Sequence, residues 1–176
     1  LILAVIGAFS WQATASFLPT FLETYHGLKA TTAGLLFSGY FVTSGIAQPV
    51  LGALSDRFSR EPIVVVTMSS GILGFGSLVL GEGLVVIVLG VIFVGIAMSW
   101  GSAIQSRFMD HLSDAERGSG FGLVRTTYMS MGASGSVVVG TVADLFGWQV
   151  SFGLLATIMA LGLSTIAVNR IAGLGY

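Results

Sequence analysis

Arg125 stands alone inside an otherwise uncharged run from Gly118 to Ala143, and at ~1.5 Å of helical rise per residue it lies about 10 Å from the start of that run. A guanidinium at such depth is costly, so it marks a site where an anionic solute, or a carboxylate from another segment, could be met. The competing reading is an arginine stem that snorkels back to the interface. Asp56, Arg57 and Arg60 form a second group, spaced so that carboxylate and guanidinium can pair with each other and with nearby helix ends. A third is the stripe Gln12, Ser16 and Thr20 at four-residue spacing, with Trp11 beside it and Pro19 freeing a backbone carbonyl. Interhelical hydrogen bonding is the plainer use of such a stripe.

Other chemistries lack their residues. With no cysteine and only His26 and His111, the chain offers no disulfide framework, no thiol nucleophile and no metal site, and no cofactor is expected. Gly132-Ala133-Ser134-Gly135 matches the G-x-S-G pattern of intramembrane serine proteases, but both histidines fall in loops and no base lies near Ser134, so no enzyme is expected. The only lysine, Lys29, precedes Ala30 and belongs to no phosphate-binding loop, so ATP hydrolysis does not reside here. All eight acidic residues fall in connections or at span ends, which leaves no membrane-buried carboxylate to carry a proton.

These groups must be positioned by apolar helices. Of 176 residues 54% are hydrophobic and 9% charged, against about 25% charged in a soluble domain. Seven basic and eight acidic residues leave a net charge of −1, with no basic patch for nucleic acid. Spans of about 20 apolar residues are the units to look for. Leu1 to Leu22, Ala30 to Ser55, Pro62 to Gly81, Gly83 to Ser106 and Leu145 to Asn169 qualify, and Gly118 to Ala143 is interrupted only by Arg125. Six spans joined by short polar connections make an all-α membrane protein, read as one six-helix domain over residues 1–176. Leu1, rather than a Met, opens directly on an uncharged run, as in a chain cut inside or just before a helix. Arg57, Arg60, Arg107, Arg117 and Arg170 fall on one side and Lys29 on the other, which places both termini in the cytoplasm.

The chain also repeats itself. At an offset of 88 residues, Gly34 to Arg60 aligns with Gly122 to Trp148, and seven of the 27 pairs are identical, Tyr40/Tyr128, Gly52/Gly140 and Asp56/Asp144 among them. Units of three helices, approximately 1–81 and 83–176, must sit inverted relative to one another, which is the 3+3 inverted repeat of many secondary transporters. Ser44/Gln48/Gly52 and Gly132/Ser136/Gly140 occupy equivalent positions and are read as close helix packing.

The stretch GALSDRFSR resembles the loop signature of the major facilitator superfamily, roughly G-x-L-x-D-R-x-G-R, with Gly52, Leu54, Asp56, Arg57 and Arg60 in place and Ser59 where glycine is usual. ADLFGWQVSF, residues 143–152, resembles the turn before the last helix of a facilitator half. The resemblance implies half of a twelve-helix bundle, and FLPTFL in the first span with the end soon after the sixth points to the C-terminal half. It also implies that Gly52, Asp56, Arg57 and Arg60 form a conformational latch, whose plainer alternative is positive-inside anchoring. Since the first and fourth helices of each half line the family's cavity, Trp11, Gln12, Trp100 and Gln105 become candidate substrate contacts beside Arg125. The implied function is transport of a small solute, an anionic one where Arg125 meets it, by alternating access in the plasma membrane. The implied partners are the lipid bilayer and the other six-helix half, in the same native chain or as a second copy. The alternative is a six-helix protein that self-associates or forms a channel without alternating access.

Overall fold

Lipid offers the backbone no hydrogen bonds, so each apolar run closes its own as a helix. The computed structural model describes residues 1–110, 112–113 and 118–172. The helices are α1 (Ile2–Thr24), α2 (Ala30–Arg57), α3 (Arg60–Leu80), α4 (Leu84–Ala97), α5 (Gly101–Asp110), α6 (Ser119–Phe146) and α7 (Trp148–Ile171). A single 3-10 turn, Met98–Trp100, joins α4 to α5, and Leu84–Ser106 together forms the fourth of six spans. The described residues contain no strand. The all-helical, six-span expectation is therefore met.

Helix ends differ from the sequence-based limits in a consistent direction. α2 runs on through Asp56 and Arg57, α6 through Asp144, and α5 to Asp110, so residues expected in connections sit in helix ends. The 28 residues of α2 extend about 42 Å, beyond a hydrocarbon core of roughly 30 Å, so charged residues occupy turns that overhang it. Gly147 separates α6 from α7 alone, at φ 85 and ψ 165, a backbone region open essentially to glycine. Ser59, by contrast, is extended at φ 168 and ψ 168, so serine replaces the usual signature glycine without strain.

Small residues decide which helices approach. α1 and α6 run parallel in contact, with Gly132 against Ala8, Gly135 against the backbone of Phe9, and Gly140 against the ring of Phe17. α3 and α4 meet at Gly74, where an added Cβ would lie 2.7 Å from the Val94 nitrogen and 3.0 Å from the Gly90 oxygen. α4 also packs on α2, Gly95 facing Thr43 and the Tyr40 carbonyl. Met68, Phe75 and Leu78 of α3 and Phe152, Leu155 and Met159 of α7 are buried in the core. α2 is the opposite case: 11% of its most apolar stretch is buried, against 56% for Leu84–Ser106.

Candidate functional site

Alternation of direction along the chain brings the end of α2, the start of α3, the end of α5, the start of α6 and the end of α7 to one end of the bundle. Asp56 and Arg60 meet there: Arg60 Nη1 donates to Asp56 Oδ1 at 2.9 Å and to Ser55 Oγ at 3.4 Å. The pair joins the last turn of α2 to the first residue of α3. Arg57 turns elsewhere, its guanidinium 5.5 Å from the centre of the Phe58 ring, a cation–π distance. Gly52, one turn earlier, faces α5, where an added Cβ would make only ordinary contact with Ser102 at 3.7 Å, so the packing there does not itself require glycine. Of the four expected latch residues, the structure joins Asp56 and Arg60 in an ion pair, while Arg57 and Gly52 make separate contacts. Arg107 and Arg117, used in the orientation count, and His111 lie outside the described side chains.

The candidate cavity residues divide. Trp100 is 6% exposed; its ring covers Gly7 and meets Tyr128 edge-on, with centroids 5.8 Å apart, so it wedges α1 against α6. Trp11 is half-buried and packs on the core. Gln12 is half-buried, while Ser16 and Thr20 of the same stripe are exposed. Gln105 shares a small polar locus with Gln48, a residue whose sequence position suggested packing only. An added Cβ at Gly101 would lie 3.0 Å from the Gln105 amide nitrogen and 3.7 Å from that of Gln48. Among the described residues, the amides of Gln12, Gln48 and Gln105 make no hydrogen bond within the protein, which leaves them available to something outside it.

Arg125 is exposed on α6 and forms no ion pair among the described residues. It sits about 9 Å from the helix start at ~1.5 Å per residue, but α6 is 28 residues long. With the overhang shared between both ends, the guanidinium stands only about 3 Å inside a hydrocarbon core of roughly 30 Å. It is at the mouth of the bundle rather than its middle. Exposed Thr126, Thr127, Ser130 and Ser134 continue a polar surface along α6.

Two features were not legible from sequence. At the opposite end of the bundle, Tyr25 Oη donates to the Val79 carbonyl at 3.0 Å and His26 Nε2 donates to the Leu78 carbonyl at 2.8 Å, so the α1–α2 connection satisfies the C-terminal carbonyls of α3. Phe21 anchors that tie, stacked on Phe152 at 3.8 Å and on Tyr25 at 5.0 Å. The repeat-related tyrosines Tyr40 and Tyr128 are both buried, and neither hydroxyl has a partner. The tie carries no sequence motif, because it joins residues more than fifty positions apart, and for the tyrosines the repeat marked the pair but not its burial.

Six helical spans, with charge confined to the span ends and the mouth of the bundle, define an integral, multi-pass membrane protein. The chain belongs to the major facilitator superfamily, whose family model matches residues 1–171, so the kinship implied by the GALSDRFSR signature holds. It is 28% identical to the hexuronate transporter of Bacillus subtilis over 84% of this chain and 35% of that protein. It is 27% identical to the class E tetracycline resistance protein of Escherichia coli over 76% of this chain and 32% of that protein. The crystal structure of a peptide transporter POT in complex with sulfate superposes with a TM-score of 0.85 at 21% identity, covering 99% of this chain and 37% of that one. The fold is therefore that of a major facilitator half, and the chain spans about a third of the length of the curated relatives it matches.

Proposed function

We propose that this chain is one six-helix half, the C-terminal one, of a non-enzymatic secondary transporter. It carries a small solute by alternating access across the plasma membrane, with both termini cytoplasmic. The observation that carries the reading is the sparsely covered side of α2 and α6. Their exposed apolar residues, such as Phe41, Ile46 and Val137, alternate with Gln48, Arg125, Ser130 and Ser134, a mixture suited to a second bundle and a water-filled cavity rather than to lipid alone. The partner is the other six-helix half, in the same native chain or as a second copy. Packing of α1 on α6 and of α4 on α2 supports the 3+3 inverted repeat, because an offset of 88 residues exchanges the two pairs.

In this mechanism Gly52, Asp56, Arg57 and Arg60 form the latch that holds one access state and releases it as the halves rock. Gln12, Gln105 and Arg125 face the solute, Trp11 and Trp100 shape the wall, and Arg125 favours an anionic solute at the cytoplasmic mouth. No cofactor takes part, and any coupling proton is carried by the other half.

The absence of cysteine from this chain makes the test direct. Ser130→Cys, in a full-length protein otherwise free of cysteine, should react with a membrane-impermeant maleimide from either side of a proteoliposome, in proportions that shift with solute. Reaction in proportions that solute does not shift would support the alternative, a channel if the thiol is reached from both sides and a scaffold if from one.

A further inference from the structure

Glu61 carries a carboxylate with no answering group. It is half-buried in the first turn of α3, and it makes no hydrogen bond or ion pair with any described residue. It borders two recesses: one of about 490 Å³ within the bundle, beside Ile104 and Phe108, and one of about 350 Å³ between α3 and α7. The second has a wall of Val65, Leu163, Ile166 and Ala167 and is also lined by Arg170. On α7 the lining recurs at four-residue spacing, Leu163 then Ala167 and Ile166 then Arg170, so a single helix face borders the recess.

An anion and a cation thus share one groove without closing on each other. Both lie at the same end of the bundle, where α3 begins and α7 stops, the level at which a spanning helix meets lipid headgroups. The gap suits a dipole: a primary ammonium donating to Glu61, a phosphate accepting from Arg170, and an alkyl chain against the apolar wall. A quaternary choline has no N–H to donate, and phosphatidylglycerol brings no cation to Glu61.

We propose that the groove between α3 and α7 binds phosphatidylethanolamine, with Glu61 as the counter-ion of its ammonium and Arg170 as the donor to its phosphate. The site rests on the membrane-spanning fold and not on the transport reading, so either can fail alone. Native mass spectrometry of the full-length protein tests it, after delipidation and return to equimolar phosphatidylethanolamine, phosphatidylcholine and phosphatidylglycerol of matched chains. The wild type should retain phosphatidylethanolamine about tenfold over phosphatidylcholine, the scale of one charge-assisted hydrogen bond. Glu61→Gln should abolish that preference and leave phosphatidylglycerol unchanged. Ala167→Trp, which fills the groove without touching either charge, should lower retention of all three. Equal retention of phosphatidylethanolamine and phosphatidylcholine by the wild type, or a preference that survives Glu61→Gln, would overturn the assignment. So would a lipid-free dimer that Ala167→Trp disrupts, since a second copy would then be the occupant.

Discussion

Asp56 and Arg60 close a 2.9 Å ion pair across the break between α2 and α3, so the two helices are tied by side chains where the backbone leaves the helix. Asp56 is 68% exposed and Arg60 25%, and pairs so open to solvent contribute about 0–1 kcal/mol. A contact that weak is suited to being made and broken in each cycle. Asp56→Asn, which breaks the pair, should therefore lower the transport rate severalfold while KM and thermal stability stay near wild type, and Arg57→Ala, which removes the other guanidinium of the proposed latch, should do the same. Initial-rate kinetics beside a melting curve in detergent checks this, and an unchanged rate in both variants would reduce the cluster to a charge anchor.

Glycine substitutions should separate by contact rather than by helix. At Gly135 an added side chain runs into the Phe9 backbone, which cannot move aside without parting α1 from α6. Gly135→Val should cost about 1–3 kcal/mol or more, as overpacking at an interface does. At Gly76 an added Cβ meets nothing within 4 Å, so Gly76→Ala should be neutral or stabilising by up to about 1 kcal/mol. Thermal unfolding of the purified protein in one detergent distinguishes the two.

The tie between Tyr25, His26 and the end of α3 should be worth about 1 kcal/mol per hydrogen bond. Tyr25→Phe removes one bond and keeps the stack on Phe21. Pairing it with His26→Ala should leave both carbonyls to water and speed amide exchange in the last turn of α3, with α6 unaffected. Hydrogen exchange read by mass spectrometry resolves that local opening; uniform acceleration would mean that the tie supports the whole bundle.

Span number and order were legible because a long uncharged run has few other uses in a chain so poor in charge. Helix ends were less so. Asp56, Arg57 and Asp144 were expected in turns because charge was taken to end a helix, whereas it ends only the part of the helix in hydrocarbon. The break at Met98–Trp100 has no proline to announce it. Its Ser99 hydroxyl donates to the Ser44 carbonyl of α2 at 3.3 Å, a contact only tertiary packing creates. Asp56 and Arg60, four positions apart in sequence, pair where α2 gives way to α3, while the neighbourhood of Gln48 and Gln105 depended on how α2 crosses α5.

Arg125 offers the sharpest separation of roles. If it meets an anionic solute, geometry as well as charge matters, because a guanidinium presents a planar fork to a carboxylate or phosphate and an ammonium does not. Arg125→Gln should then raise KM for an anionic solute about tenfold, the loss of roughly 1.4 kcal/mol, with neutral solutes unaffected. Arg125→Lys should recover only part of that affinity. If the residue merely snorkels, lysine serves equally well, and glutamine alters membrane insertion rather than KM. Uptake kinetics for one anionic and one neutral solute, measured on all three proteins at matched expression, therefore decides between solute contact and anchor.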